Sequence, residues 1–238
     1  MADVKYKRVL LKLSGESLCK VGGFGIDDEA IGPVAERIAK VCQLGADIGI
    51  VVGGGNFLRG AAFSKSGNIA RHTADFMGMM ATVMNACALR DTLEAVGQRA
   101  KVMSAIDVPA VCELFSRRKC LEYFKEGYAV ILAGGTGNPF FSTDTCAALR
   151  ASEIDAELII KATKVDGVYT DDPMKNPDAE LLTDISYEDV LRESLKVIDL
   201  TAISLCRENN IPIVVLNIFK EGNITKALCG ERVGSLIS

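Results

Sequence analysis

The sequence predicts an α/β fold in which a mainly parallel sheet is covered by helices on both faces. Three observations carry this. Short apolar segments rich in β-branched residues alternate with segments of helical pattern, the signature of strand–helix–strand units. Those short segments are apolar on both sides of the pleat, as strands covered on both faces must be. Three of them run into glycine-rich turns, where a strand hands over to a helix.

The strand segments are RVLLKL (8–13), ADIGIVV (46–52), AKVMS (100–104), YAVILA (128–133), AELIIKA (156–162) and IPIVVLNI (211–218). The first helix is expected over 28–44, with Pro33 in its first turn and Leu44-Gly45 as its stop. Further helices are expected near 73–96, 109–125, 143–153, 187–194, 197–209 and 222–229. Asn209-Asn210 is a reasonable stop for the sixth. No repeat, linker or low-complexity tract divides the chain, so residues 1–238 are expected to form one domain. The polar stretch DDPMKNPDAE (171–180), with its two prolines, reads as an exposed loop.

Segment 73–96 differs from the others. TADFMGMMATVMNACALRDTLEAV is apolar or small almost all round its first four turns. A helix apolar on every side is buried on every side. That suits a subunit interface as well as a core, with methionines filling irregular gaps; a central core helix in a monomer is the alternative.

Composition excludes several function classes. Acidic residues outnumber basic ones by 31 to 27, so there is no electrostatic case for nucleic-acid binding. Apolar runs are short and broken by glycine or charge, and Lys12 interrupts the N-terminal one, so neither a membrane span nor a signal peptide is expected. The eight cysteines form no CxxC and no metal-ligand spacing; most sit in apolar patterns as small hydrophobes. A chain of this size without a disulfide framework suits the cytoplasm. The single histidine, His72, stands at a helix start beside Thr73 and Asp75 and reads as a surface or capping residue.

The chemistry gathers in three glycine loops: KLSGES (12–17), GGGNFLRG (53–60) and AGGTGNPFFSTD (133–144). In a parallel sheet all three lie at carboxyl ends of strands, where open α/β folds bind ligands. Glycine there lets backbone N–H groups approach phosphate oxygens, and helix N-termini add partial positive charge. Neither GxxxxGK[ST] nor GxGxxG is present, so the phosphate cation must come from elsewhere. Lys12, inside a strand with leucine on either side, and Arg59, at the end of the second loop, are the candidates.

VLLKLSGES, VVGGGNFLRG, ADFMGMMATVMN, AGGTGNPFFSTDTCAALRA and KATKVDGVYTDDP together resemble the bacterial UMP kinases of the amino acid kinase superfamily. The resemblance covers nearly the whole chain, in order and at matching spacing, with Ser142 where threonine is common. It implies an α/β/α sandwich with a mainly parallel central sheet, assembled as a homohexamer. The implied reaction transfers the γ-phosphoryl group of ATP to UMP with Mg²⁺, giving UDP and ADP on the route to CTP. By position, Lys12, Leu13, Ser14 and Gly15 would meet ATP and the transferring phosphate. Gly54, Gly55 and Arg59 would hold phosphates of the two nucleotides, and Thr163, Tyr169 and Asp172 would line the ATP nucleoside pocket. Asp75 and the loop Thr136, Gly137, Asn138, Pro139, Phe140, Phe141, Ser142 and Thr143 would hold UMP. Mg²⁺ would ride mainly on ATP phosphates, with no dedicated protein ligands. Lys20, Val21, Gly22, Gly23, Phe24 and Gly25 would form the region tied to GTP activation, with UTP as inhibitor; the plain reading of that segment is a flexible turn.

This chemistry suits the residues present. The phosphate of UMP is itself the nucleophile and is mostly dianionic at neutral pH, its second pKa being about 6. No general base is needed, so one histidine suffices. Positioning and charge neutralisation carry phosphoryl transfer. Arg59 can grip phosphate bidentately, while Lys12 acts as a compact charge. Several residues keep two readings. Asp144 caps the following helix, with Ser142 and Thr143 competing for that job, or organises Lys12 and the metal–phosphate site. Asp75 caps its helix or accepts ribose hydroxyls. Phe140 and Phe141 wall the uracil pocket or enter the core, at least one being expected in the core. Lys161 and Lys164 flank Thr163 near the ATP region; either could contact phosphate, but adjacent surface lysines are common and neither is taken as catalytic. Asp199 is another acid that could approach the site, its role left open.

Overall fold

A computed structural model of the chain describes residues 4–58, 68–171, 173, 175–176, 178–193, 195 and 197–238. Two residues singled out above, Arg59 and Asp172, lie outside the described residues.

The strands expected from the sequence all form: β1 (Arg8–Leu13), β2 (Asp47–Val52), β3 (Ala100–Ser104), β5 (Ala129–Ala133), β6 (Leu158–Thr163) and β10 (Ile213–Asn217). Among the described residues five short strands join them: β4 (Glu113–Leu114), β7 (Val168–Tyr169), β8 (Leu181–Leu182), β9 (Asp184–Ile185) and β11 (Ser235–Ile237). Nine strands make one sheet in the order β4-β3-β5-β2-β1-β6-β10-β11-β9. Pairing is parallel except where β11 runs antiparallel to β10. The small antiparallel pair β7–β8 stands apart from the sheet.

The described helices are α1 (Asp28–Cys42), α2 (Arg71–Ala95), α3 (Arg117–Lys125), α4 (Thr143–Glu153), α5 (Tyr187–Glu193), α6 (Leu200–Glu208) and α7 (Asn223–Leu228). A one-turn 3₁₀ helix, Gly15–Leu18, follows β1. Asp27 caps α1, accepting from the Glu29 N–H at 3.0 Å. Pro33 falls in the second turn of α1 rather than the first. The helix expected over 109–125 is shorter than its pattern suggested. Residues 109–112 are turn, β4 follows, and only Arg117–Lys125 is helical, because β4 extends the sheet edge beside β3. Beside β7–β8 the Thr170 N–H donates to the Glu180 carbonyl and the Glu180 N–H to the Thr170 hydroxyl, each at 3.0 Å.

Period-2 alternation sorts the strand side chains into two cores, one under each helical layer. Val9, Leu11 and Leu13 of β1 with Ile48, Ile50 and Val52 of β2 face α1, α2 and α7. Leu10 of β1, Ile159 of β6 and Val130 and Leu132 of β5 face α3, α4, α5 and α6. This is the expected three-layer α/β/α arrangement. The parity also places Lys12 with Leu10, and Lys161 with Ile159, on the α4 side of the sheet.

Within the chain, α2 is not buried all round. Phe76, Met80 and Met84, spaced by one turn, are 38%, 51% and 51% exposed, while Val83, Ala86, Leu89 and Leu93 enter the core. No described helix is long and apolar enough to cross a membrane.

Candidate active site

Lys12 and Lys161 stand side by side as register partners in β1 and β6, one residue and two residues before their strand ends. Two ammonium groups so placed repel, and both side chains are largely buried, at 11% and 12% exposure. Asp144, in the first turn of α4, resolves the conflict. Its Oδ1 lies 2.7 Å from Lys12 Nζ and its Oδ2 accepts from Lys161 Nζ at 2.5 Å. Among the described residues, Oδ1 has no other partner than the Lys12 ammonium. Burial pushes the Asp144 carboxyl up, but the two neighbouring ammoniums outweigh it and hold the group below its ordinary value. Burial, aided by Lys12, lowers Lys161 despite the opposing pull of Asp144 and Asp199.

Ser142, not Asp144, caps α4. Its hydroxyl oxygen accepts from the N–H groups of Asp144 and Thr145 at 3.0 and 3.1 Å and its own proton goes to Asp199. Asp199 also accepts from the Thr145 hydroxyl at 2.8 Å and caps α6 through the Ala202 N–H at 2.9 Å. One carboxylate thus fastens the start of α6 to the start of α4, beside the lysine pair.

The three glycine loops meet above these side chains. A methyl group at Gly15 would lie 2.4 Å from Asn56 Oδ1 and 2.6 Å from the Gly53 carbonyl, so the first two loops touch where only glycine fits. Gly53 lies beside Thr143 of the third loop. Ser14 caps the 3₁₀ turn, accepting from the Glu16 N–H at 3.3 Å. The Leu13 side chain is fully buried and its carbonyl is taken by the Gly53 N–H at 2.9 Å. Gly134, at φ 75°, closes the third loop on Ser104, and its N–H donates to the Thr82 hydroxyl at 2.8 Å.

Between α2 and the third loop lies a cavity of about 250 Å³. It is lined by Gly54, Gly55, Leu58, Arg71, Asp75, Gly78, Met79, Gly135, Thr136, Phe141, Ser142 and Thr143, among others. Asp75 does not cap α2, whose N-cap is Ala70. Its carboxylate binds Arg71 Nε at 2.9 and 3.0 Å and the Phe140 N–H at 2.9 Å. Neither Phe140 nor Phe141 is core, against expectation; they are 69% and 53% exposed. Phe140 holds φ 71°, a costly conformation for a bulky residue, with the Arg71 guanidinium 5.7 Å over its ring. Thr136 and Asn138 stiffen the loop, the Asn138 N–H donating to Thr136 Oγ1 at 3.2 Å. His72 is an exposed residue of the first turn of α2.

On the other side of β6, the Thr163 hydroxyl donates to the Val165 carbonyl at 2.7 Å. Tyr169 lines an open cavity of about 590 Å³ with Val165, Gly167, Pro173, Leu195 and Val197. Lys20 pairs with Asp27 and Glu29 at 3.3 and 2.9 Å, while Val21 and Phe24 are 91% and 78% exposed. Lys164 is exposed; Lys161, for which phosphate contact and a surface place were both open, is largely buried in the site. Its signal was present: a charge inside an apolar strand, as with Lys12. Asp199, Arg71, Asn56 and Asn85 carried no such signal. Among the described residues no group of three His, Cys, Asp or Glu side chains is placed to hold a metal ion.

The family model for the amino acid kinase family matches residues 7–217. The crystal structure of UMP kinase from Bacillus anthracis superposes with a TM-score of 0.94 at 36% identity, covering 98% of this chain and 96% of that one. The UMP kinase from Ureaplasma parvum gives 0.89 at 36% identity over 98% and 99%. The uridylate kinase from Archaeoglobus fulgidus gives 0.72 at 31% over 97% and 99%. With glycine loops at the ends of parallel strands, a lysine pair organised by one aspartate, and this similarity along nearly its whole length, the chain belongs to the amino acid kinase family.

Proposed function

We propose that the chain is a UMP kinase, transferring the γ-phosphoryl group of ATP to UMP. The observation that carries this reading is the Lys12–Asp144–Lys161 cluster beside a cavity lined by Asp75 and the third glycine loop. Similarity at 36% identity to two UMP kinases supports it.

In this reading UMP enters the cavity with its ribose toward Asp75 and its base toward the Thr136–Phe141 backbone. Its phosphate reaches the N–H groups of Gly54 and Gly55. ATP lies with its nucleoside toward Thr163, Tyr169 and Asp172 and its phosphates toward Lys12, Ser14 and Gly15. A UMP phosphate oxygen attacks the γ-phosphorus, the bond to the β-phosphate oxygen breaks, and ADP leaves. The attacking group needs no base because it is already an anion. Lys12, Lys161 and Arg59 offset the repulsion between the nucleotides, and Asp144 fixes the two lysines against their own repulsion. The donor set suits Mg²⁺ arriving on ATP, because both Asp144 oxygens already face ammonium groups. Bound so, Mg²⁺ would further neutralise phosphate charge.

The same reading takes residues 1–238 as one cytoplasmic domain in pyrimidine nucleotide synthesis. The exposed Phe76–Met80–Met84 stripe supports a homo-oligomer, a hexamer by resemblance. Segment 20–25 is the proposed site of GTP activation, with UTP inhibiting. The test is ADP release in a coupled assay with UMP, CMP, carbamate, aspartate and acetylglutamate as acceptors. Release with UMP at far higher kcat/KM than with the carboxylates and carbamate is expected; release with those and not with UMP overturns the reading.

A further inference from the structure

The side-chain amides of Asn56 and Asn85 form a closed pair inside the protein. Asn56 sits in the turn after β2 and Asn85 midway along α2; they are 3% and 0% exposed. Asn56 Nδ2 donates to Asn85 Oδ1 at 2.9 Å, and Asn85 Nδ2 donates back to Asn56 Oδ1 at 2.7 Å. Each amide has one N–H left. Asn85 gives its own to the Gly53 carbonyl at 2.7 Å, and Asn56 gives its own to the Gly25 carbonyl at 2.8 Å. All four N–H donors are thereby used.

Two further contacts widen the reach of the pair. The Gly25 N–H donates to the Asn56 carbonyl at 2.9 Å, so Gly25 is held from both sides. A methyl group on Gly15 would fall 2.4 Å from Asn56 Oδ1, so the first glycine loop rests directly on the pair. One buried unit therefore touches the first loop, the second loop, α2 and segment 20–25. Two leucines would pack α2 on the sheet as well, but apolar contact is not directional. They would leave the loop carbonyls of Gly53 and Gly25 without these donors.

We infer that Asn56 and Asn85 act as one positioning unit for phosphoryl transfer, holding the Gly53–Gly55 backbone where it receives the UMP phosphate and seating the Gly15 turn of the ATP side against it. The inference rests on the UMP reading and adds two residues that reach substrate only through those backbones.

The test is steady-state kinetics of Asn56→Ala, Asn85→Ala, their double variant and Asn85→Asp, with UMP and ATP varied separately well below each variant's Tm. Each single change raises the KM for UMP about tenfold, the scale of one buried hydrogen bond. The double variant is no worse than the worse single, because a unit once broken is not broken again. KM for ATP moves less, because the pair donates to Gly53 and Gly25 and only abuts Gly15, and Thr163 and Tyr169 lie beyond β1. Asn85→Asp keeps size and still accepts from Asn56 but cannot donate to Gly53; it shows the same rise in KM, which lost packing would not produce. Additive effects overturn the inference, as does an unchanged KM for UMP in folded variants. Should the variants not fold, hydrogen exchange of the unaltered protein decides: UMP slows exchange at Gly25 together with residues 53–56, and no change at Gly25 overturns the inference. If the unaltered chain releases no ADP with UMP, the UMP reading falls and the inference with it. Turnover by that chain with silent variants overturns the inference alone.

Discussion

Lys12 and Lys161 are neighbours across the β1–β6 ladder, and a single carboxylate, Asp144, lies against both ammonium groups. Like charges set side by side in a sheet destabilise it. The arrangement holds two ammonium groups in a partly dry site near the carboxyl edge of the sheet, with Asp144 against both and Asp199 beside them.

Lys12→Ala and Lys161→Ala should each lower kcat by roughly 10²–10³-fold, the scale of one preorganised charge in such a site. Urea denaturation should show little loss of stability for Lys161→Ala, because a buried charge is removed together with its desolvation. Wild-type kcat in Lys161→Ala would remove Lys161 from the mechanism.

Asp144→Asn should cost about 3–5 kcal/mol of stability, since it leaves two buried ammoniums uncompensated. Adding Lys161→Met should recover much of that loss without recovering activity. The check is urea denaturation of the single and double variants; a double variant less stable than the single would contradict the charge argument.

The alkaline limb of kcat/KM should lie below 10.5, the ordinary lysine value, because burial depresses Lys161. The sign for stability is opposite. Between the depressed value and 10.5 the unfolded chain holds the extra proton, so Lys161 contributes stability that increases as pH rises through that window. Lys161→Arg does not titrate there and should move the kinetic limb upward. A pH–rate profile unchanged by Lys161→Arg would show that Lys161 is not the titrating group.

Asp75→Ala should raise the KM for UMP at least about tenfold, as expected for losing a hydrogen bond to a charged group, with a smaller change in KM for ATP. It also frees Arg71 and the Phe140 N–H, loosening the positive-φ turn. Equal changes in both KM values would place Asp75 outside the UMP site.

Met80→Lys with Met84→Lys should reduce the mass measured by light scattering, if the exposed stripe of α2 is an interface between copies. The monomer core should survive, as Val83, Ala86 and Leu89 face the other way. An unchanged assembly mass would exclude this face.

The six long strands and the three loops were legible because each depends on local pattern: doubly apolar runs, then glycine. The extent of α3 was not, because its first residues carry a helical pattern that sheet-edge pairing at Glu113–Leu114 overrides. Phe140 and Phe141 misled for a related reason. Aromatic residues usually enter cores, but here Asp75 holds the Phe140 N–H and the turn carries both rings outward. Lys161 stayed undecided between a phosphate contact and a surface place, although it interrupts an apolar strand as Lys12 does.

What the sequence by itself determined is the order of strands and helices, the three glycine loops at strand ends and the lysine in β1, all read from residues within one turn or one strand of each other. Only the tertiary structure decided which groups meet. The Lys12–Lys161–Asp144 cluster brings Lys12 of the first strand to two residues far along the chain. The Asn56–Asn85 pair and the anchoring of α4 by Asp199 likewise join separate elements. Such contacts follow from strand order, register and the face each side chain takes, and those are set when the whole sheet closes.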